Sequence, residues 1–463
     1  MLSNPDNEVL CEVTPGTPMG DLMRQYWLPA LKSDELPSPD CPPVRLRILG
    51  ENLIGFRVTS GRVGIIANAC PHRGASMFFG RNEEEGLRCV YHGWKFDSEG
   101  NCVDMPSEPA ESNFWSKVKT TAYPCVERNG VIWTYMGPRQ TPPPLSDIEG
   151  NMVEGARSSK IMRDCNYMQA LEGDIDTSHL AFLHSGAQRA ERLPKGSQAY
   201  YVAKDRSPRY AVLDTEFGTA YGAYRPTDEA DKTYWRMAYF LFPCYTMIPT
   251  DVLGEARRIR AWVPIDSGHT MVWSMNAPRV ASATQGGFFG AAFGPGEAGQ
   301  GQNADRQNRQ GGAGGNEYRP ATADWLGKFR LVANKANDYL LDREAQRNLV
   351  SFTGINGGVN GIFLEDQAIT ESMGQIYDRS REHLGTSDSM IIRTRRRLIN
   401  AARAFREVGI TPPGVDNPEV FAVRSGGVLL PTGVDWWEGT KELRKAFVEH
   451  KVEGAVPLAT IAV

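Results

Sequence analysis

Two short stretches of the chain each pair one cysteine with one histidine: Cys70-Pro-His72 and, sixteen residues on, Cys89-Val-Tyr-His92. Thiolate sulfur and imidazole nitrogen are the ligands of zinc and iron–sulfur centres, so metal binding is the first chemistry these residues suggest. A second candidate lies in NYMQALEGDIDTSHLAFLHS at positions 166–185, which contains Asp176-x-x-His179-x-x-x-x-His184. Two histidines and a carboxylate supplied from further along the chain would form a three-ligand face on ferrous iron that leaves positions open for dioxygen.

The spacing narrows the first site. A structural zinc site usually pairs its cysteines in one knuckle and its histidines on a helix. Here each loop supplies one of each, which fits a Rieske [2Fe-2S] centre, where two cysteines hold one iron and two histidines the other. Gly74 and Gly93 follow the two histidines closely, where the backbone must bend near sulfide. In the second stretch, residues i and i+5 of a regular α-helix lie about 140° apart around the axis. His179 and His184 therefore cannot share a metal on an intact helix, and a π-bulge or break is expected between them. A lone histidine pair is more often surface or core; an iron–sulfur motif in the same chain reverses that preference.

Composition fits a soluble enzyme of two or three domains. The 463 residues are 41% hydrophobic, and 51 Lys+Arg against 55 Asp+Glu show no basic excess for nucleic acid. No apolar run approaches the roughly 20 residues that span a bilayer, and the start MLSNPDNEVLCEVTPG lacks the features of a signal peptide, so a cytoplasmic location is expected. Eight cysteines in so long a chain do not make a disulfide framework; Cys11, Cys41, Cys102, Cys125, Cys165 and Cys244 are expected to be reduced.

The elements that must position these residues follow in order. Thr17–Ala30 has Met19, Leu22, Met23, Tyr26 and Trp27 at helical spacing and is expected to be an amphipathic helix, within an N-terminal segment 1–40 that packs on the body. Short β-type runs (VRLRIL, NLIGFRV, RVGIIAN, LRCVYHGWKF, VIWTYM) then define a small antiparallel domain over 41–145, with the two ligand loops at hairpin tips. Beyond the Pro-rich linker 138–144, residues 146–463 form the larger domain. Strands are expected at 209–217, 233–249, 257–264 and 269–275, and helices at 338–350, 368–381 and 391–408.

With both motifs in place, the chain resembles the Rieske non-haem iron aromatic-ring oxygenases, of the phthalate dioxygenase-like type with catalytic α subunits only. The likeness runs from MGDLMRQYWLPA through both metal motifs to LEDQAITESMGQIYDRSREHLGTSD at 364–388. It implies an α+β fold: an N-terminal antiparallel Rieske domain and a C-terminal helix-grip catalytic domain built on an antiparallel sheet. It implies one [2Fe-2S] cluster on Cys70, His72, Cys89 and His92, and one Fe(II) on His179, His184 and Asp366. Asp366 would stand at the start of a helix, with Glu365 as its nearest competitor. The resemblance further implies a head-to-tail homotrimer, or a hexamer of stacked trimers, in which Asp176 bridges an iron-ligand histidine to His92 of the next subunit. A separate flavin or iron–sulfur reductase would deliver electrons one at a time. The products implied are a cis-dihydrodiol from dioxygen and an aromatic ring, or formaldehyde where a methoxy group is hydroxylated.

The strand at 234–247 (YWRMAYFLFPCYTM) is apolar on both faces and should be central, so its one charge, Arg236, needs a partner. A substrate carboxylate would serve, making Arg225, Arg236 and Arg260 candidates, although internal ion pairing is the commoner fate of a buried arginine. The low-complexity stretch 286–315 is either an unstructured insertion or a flap anchored by Phe288, Phe289 and Phe293. Neither His269 nor His450 has neighbours in sequence that suggest ligation, and His383, within the run REHLG that the resemblance covers, is expected to be structural. Two other classes remain: a Rieske electron carrier, disfavoured by the long chain beyond residue 145, and a colourless zinc-stabilised binding module.

Overall fold

The computed structural model describes residues 2–250, 252–278, 317–355 and 361–447. The stretch 286–315 and His450 lie outside them. Nineteen strands, all paired antiparallel, form four sheets among the described residues. A three-stranded sheet has the order β1-β11-β10, from Trp27–Lys32, Val131–Tyr135 and Cys125–Arg128. One four-stranded sheet is β2-β3-β4-β9 (Val44–Ile48, Glu51–Arg57, Val63–Ala67, Ala122–Tyr123); the other is β5-β6-β7-β8 (Arg81–Glu83, Gly86–Arg88, Lys95–Phe96, Cys102–Asp104). The smaller antiparallel sheets of the α+β expectation are therefore present.

The larger part is an eight-stranded sheet in the order β12-β18-β17-β16-β15-β14-β13, with β19 pairing β15. These are Arg157–Arg163, His269–Asn276, Arg258–Asp266, Tyr245–Met247, Lys232–Leu241, Gly218–Pro226 and Arg209–Asp214, with β19 at Gly426–Pro431. From Tyr234 to Leu241 every residue of β15 is buried, as an apolar run in a central strand requires. The helix Ser389–Val408 carries Met390, Ile391, Leu398, Ile399 and Ala402 on its buried side. It ends at Gly409, whose φ of 69° lets its N–H reach the Ala404 and Phe405 carbonyls.

Several local expectations are corrected. The helix over Thr17–Ala30 stops at Met23, and Trp27–Lys32 is instead β1, with a register shift between Pro29 and Leu31 opposite β11. Proline cannot continue a helix interior and is tolerated at such an irregularity. The run 233–249 is two strands, β15 and β16, divided at Phe242-Pro243. Strands β12, β14 and β19 were not expected; GTAYGAYRP in β14 is too rich in Gly and Ala to show a strand's alternation. In place of a helix over 338–350 there is a 3₁₀ segment Lys335–Leu340, with Asp338 and Tyr339 at positive φ, then a short helix Arg343–Arg347. The helix expected at 368–381 lies upstream, at Gly361–Ser372, with Gly374 at φ 93° beyond its end.

The two parts share one core. Leu28, Ile65 and Trp133 belong to the same buried cluster as Tyr245, Trp262 and Trp273. Backbone bonds Leu49 N–H to Pro264 O (3.0 Å) and Gly50 N–H to Ile265 O (2.8 Å) join the β2–β3 turn to β17. The eight cysteines form no disulfide among the described residues.

Two candidate metal centres

The first centre stands on two loops that repeat one backbone design. In each, the cysteine N–H donates to the carbonyl five residues on: Cys70 to Ala75 (2.8 Å) and Cys89 to Trp94 (2.9 Å). In each, the glycine four residues on donates back to the cysteine carbonyl at 2.9 Å, Gly74 to Cys70 and Gly93 to Cys89. Both glycines need positive φ, 76° and 81°, which only glycine adopts without strain. The design holds although the histidine sits two residues after Cys70 and three after Cys89. The loop 89–94 caps the β6–β7 hairpin; an Ala69–Ser76 bridge closes the other.

Cys70 and Cys89 are buried, and the His72 and His92 rings lie 4.4 Å apart. Trp94 stacks on His72 at 4.3 Å, its indole N–H held by Ser107 at 3.0 Å. Burial pushes the Cys70 thiol up to about 11, with Cys89 beside it adding to the shift. The His72 Nδ1 is buried without a hydrogen-bond partner. Two adjacent buried thiols and an orphaned imidazole nitrogen fit a metal cluster and make a poor apolar core.

The second centre is built across distance. The helix Tyr167–Asp174 ends before Asp176, and His179 begins a 3₁₀ turn, His179–Ala181. The helix thus ends upstream of both histidines, so the interruption lies before His179 and not between the pair as expected. Past it the chain curls so that the His179 and His184 Nε2 atoms stand 3.2 Å apart. The third group arrives from the helix Gly361–Ser372: Asp366 Oδ1 lies 3.0 Å from His184 Nε2 and 3.7 Å from His179 Nε2. Asp366 sits in the body of that helix rather than at its start.

At a metal–nitrogen distance of about 2.1 Å, ligands at right angles are about 3.0 Å apart, so this separation suits three neighbouring corners of one ion. Burial works against a charged Asp366, but His184, then His179 and Arg163, hold its carboxyl well below the usual range. Burial likewise opposes a charged His184, yet Asp366 and then Glu365 raise it to about 9. Without a cation among them these three groups would need a shared proton; a divalent ion replaces that positive charge.

The outer nitrogens differ. His184 Nδ1 lies 2.7 Å from Glu365 Oε2, and that side chain pair is buried. His179 Nδ1 lies 3.4 Å from Asp176 Oδ2, and both side chains are about a quarter exposed, at 25% and 23%. Asp176 is oriented by the Ser178 N–H (2.7 Å), and Ser178 Oγ is 2.5 Å from the Tyr210 hydroxyl. Neither Tyr210 nor Ser178 could be picked from the sequence, because the contact depends on where β13 lies.

The three arginines are separated by the structure. Arg260 is engaged by buried Asp174, which also accepts from Thr246 Oγ1 at 2.6 Å, and its guanidinium lies over Phe363. An internal pair explains it fully. Arg236 is buried and donates to Gln198 Oε1 at 3.4 Å. Arg225 is completely buried; its Nε donates to the Asp205 carbonyl at 2.7 Å, while both terminal nitrogens have no hydrogen-bond partner among the described residues. Burial, then the nearby Arg236, pulls Arg225 down to about 10. The Tyr234 hydroxyl, also buried, lies against Arg236. His269 is held by Asp266 at 2.7 Å and belongs to neither centre.

The Rieske [2Fe-2S] domain family matches residues 26–124, and the LigXa C-terminal domain like family matches 134–294 and 319–456. The chain belongs to the Rieske non-haem iron oxygenases. Within them it is similar to the oxygenase subunits that act on aromatic acids. It is 42% identical to the 3-chlorobenzoate-3,4-dioxygenase oxygenase subunit of Comamonas testosteroni, over 97% of this chain and 99% of that one. It is 37% identical to the phthalate 4,5-dioxygenase oxygenase subunit of Pseudomonas putida, over 94% of both. The terminal oxygenase of carbazole 1,9a-dioxygenase from Nocardioides aromaticivorans IC177 shares the fold, with a TM-score of 0.50 at 16% identity over 87% of this chain and 98% of that one. The chain is thus an oxygenase subunit with a [2Fe-2S] cluster and a mononuclear iron. Among the described residues no helix is long and apolar enough to cross a membrane.

Proposed function

We propose that this chain is the terminal oxygenase that hydroxylates a carboxylated aromatic substrate, most readily by cis-dihydroxylation. The observation that carries the reading is the convergence of His179 Nε2, His184 Nε2 and Asp366 Oδ1 to within 3.7 Å of one another. In this reading Cys70 and Cys89 hold one iron of the cluster, His72 and His92 the other, and His179, His184 and Asp366 hold the mononuclear iron. The cluster domain spans 41–145 and the catalytic domain 146–463, with 1–40 packed against the body. When bound, the two centres supply one-electron transfer and dioxygen activation.

The protein's own groups do the rest. Asp366, its carboxyl held well below the usual range, stays ionised, and Glu365 fixes the His184 ring. Asp176 holds the outer nitrogen of the partly exposed His179 and so presents that side of the site to a partner; a head-to-tail trimer, or two stacked trimers, would bring a second copy's His92 there. A reductase or ferredoxin in the same cytoplasm would feed the cluster.

Substrate class rests on Arg225. A fully buried guanidinium with two unpartnered nitrogens, close to Arg236 and Tyr234, is a poor core element and a ready receptor for a carboxylate. Tyr210 is within electrostatic reach of Arg225 and its hydroxyl touches Ser178, next to His179, which links the arginine to the iron face. The relatives that act on chlorobenzoate and phthalate favour the same class. A second reading, O-demethylation of a methoxylated aromatic acid, is favoured by 36% identity over 51% of this chain to the 5,5'-dehydrodivanillate O-demethylase oxygenase subunit of Sphingobium sp. (strain NBRC 103272 / SYK-6). Supplying the purified chain with a surrogate reductase and benzoate, phthalate isomers or methoxylated aryl acids tests both. A diol supports the first, formaldehyde the second, and conversion of only uncharged aromatics would sink the carboxylate reading.

A further inference from the structure

The helix Gly361–Ser372 grips one imidazole from both ends. Asp366 Oδ1 meets His184 Nε2 at 3.0 Å, while its neighbour Glu365 meets His184 Nδ1 at 2.7 Å. Successive residues of a helix point about 100° apart, so two adjacent carboxylates can reach round opposite sides of one ring. Glu365 is itself held: its other oxygen accepts from Thr353 Oγ1 at 2.5 Å. The loop carrying Thr353 is folded on its own hydroxyls, with Ile355 N–H donating to Thr353 Oγ1 (3.1 Å), Ser351 Oγ 3.2 Å from the same oxygen, and Gly354 N–H donating to Ser351 Oγ (3.2 Å). Gly354 has φ 70°, and a side chain there would meet the Asp342 carbonyl at 2.4 Å, so the turn needs glycine.

We infer that Glu365 is a positioning residue for the mononuclear iron, and that Thr353 is the clasp that holds Glu365 in place. Accepting the His184 Nδ1–H leaves the Nε2 lone pair aimed at the metal and makes the ring a stronger donor. Rotation of His184 would break its bond to Glu365 and turn Nε2 away from Asp366, whereas His179 has only the longer contact to the partly buried Asp176. The clasp also ties metal geometry to the loop 351–355, which contains no ligand. The inference rests on the three-ligand assignment proposed above.

The test uses the full chain with its cluster, whose visible absorption reports in each preparation that the protein has folded. Ferrous iron affinity of the second site is measured by competition with a chelator, and its symmetry by the electron paramagnetic resonance of the nitric oxide adduct. Glu365→Ala should weaken iron binding about 10- to 100-fold and change the signal's rhombicity, with the cluster spectrum unaltered. Glu365→Gln, which keeps an acceptor oxygen, should fall between Ala and wild type. Thr353→Val should loosen iron several-fold, and Thr353→Ser should restore it. Wild-type affinity and signal in both Glu365→Ala and Thr353→Val would overturn the inference. His184→Ala is the reference: if it too keeps iron, the ligand assignment fails, and if it alone loses iron, only the role of Glu365 and Thr353 fails. Should Glu365→Ala lose the cluster colour, Glu365→Gln and the Thr353 pair decide the matter.

Discussion

The two metal centres of this protein are made in opposite ways. In the proposed assignment the cluster's four ligands all come from 70–92, on two loops each closed by its own backbone bonds and a glycine at positive φ. The proposed mononuclear site draws on 179, 184 and 366, with 176, 353 and 365 behind them. A local centre keeps its shape as long as its hairpins form. A dispersed one depends on a sheet and two helices holding their distances, so its failure should be separable from failure of the first.

The sharpest way to break this contrast is His184→Ala. Iron content should fall from about three to about two per chain and product formation should cease, while the cluster's colour survives. Loss of the colour as well would show that the centres are not independent. Asp176→Asn should keep all the iron and still remove turnover, because it alters the link on His179 rather than a ligand. Turnover near wild type would discard the bridging role.

Arg225→Met should raise KM for an aromatic carboxylate about 10- to 100-fold, equivalent to the roughly 1.5–3 kcal/mol of a charge-assisted bond, with both metals retained. An unchanged KM would leave Arg225 a structural residue. The mildest test concerns the helix Tyr167–Asp174, which leads into the His179 turn. Its Glu172 is bound by Arg395 at 2.5 and 2.9 Å, and Arg395 also grips Glu382. Burial opposes ionisation of Glu172, but Arg395 and Arg379 outweigh it and lower its pKa. That stability is present above the ordinary glutamate range and is lost as pH falls below about 4, through the lowered native value. In thermal melts, Arg395→Met should be less stable at neutral pH by about 3–5 kcal/mol and flatter across that window. An equal acid dependence in the variant would remove Glu172 as its source.

The contrast also explains which residues could be found before folding was considered. Cysteine and histidine at fixed short spacings announce the cluster, because loop and ligands occupy one stretch. His179 and His184 were visible for the same reason; their spacing ruled out one intact helix through both, and the helix in fact stops at Asp174, before either of them. Asp366 came only through family likeness. Glu365 stood beside it as a rival ligand, and only the direction of each side chain on the helix separates the two roles. Arg260 and Arg225 look alike in sequence; that Asp174 pairs with the first while the second is bonded through Nε to the Asp205 carbonyl is a fact of packing. Among backbone elements, β2, β3, β4 and β11 were clear from apolar runs, while β12, β14 and β19 were not, since their residues gain strand character from neighbours in the eight-stranded sheet.

By itself the sequence marked the residues able to hold the first metal centre and the shape of the two loops that carry them, because short-range spacing and glycine conformation act within a few residues. Only the tertiary structure decided which carboxylate lies against the two histidine Nε2 atoms, which lies on the outer nitrogen of His184 and which arginine is paired with a buried aspartate. Those outcomes depend on the angle at which a helix crosses a turn and on what is buried beside each charge, and neither quantity is carried by residue order along the chain.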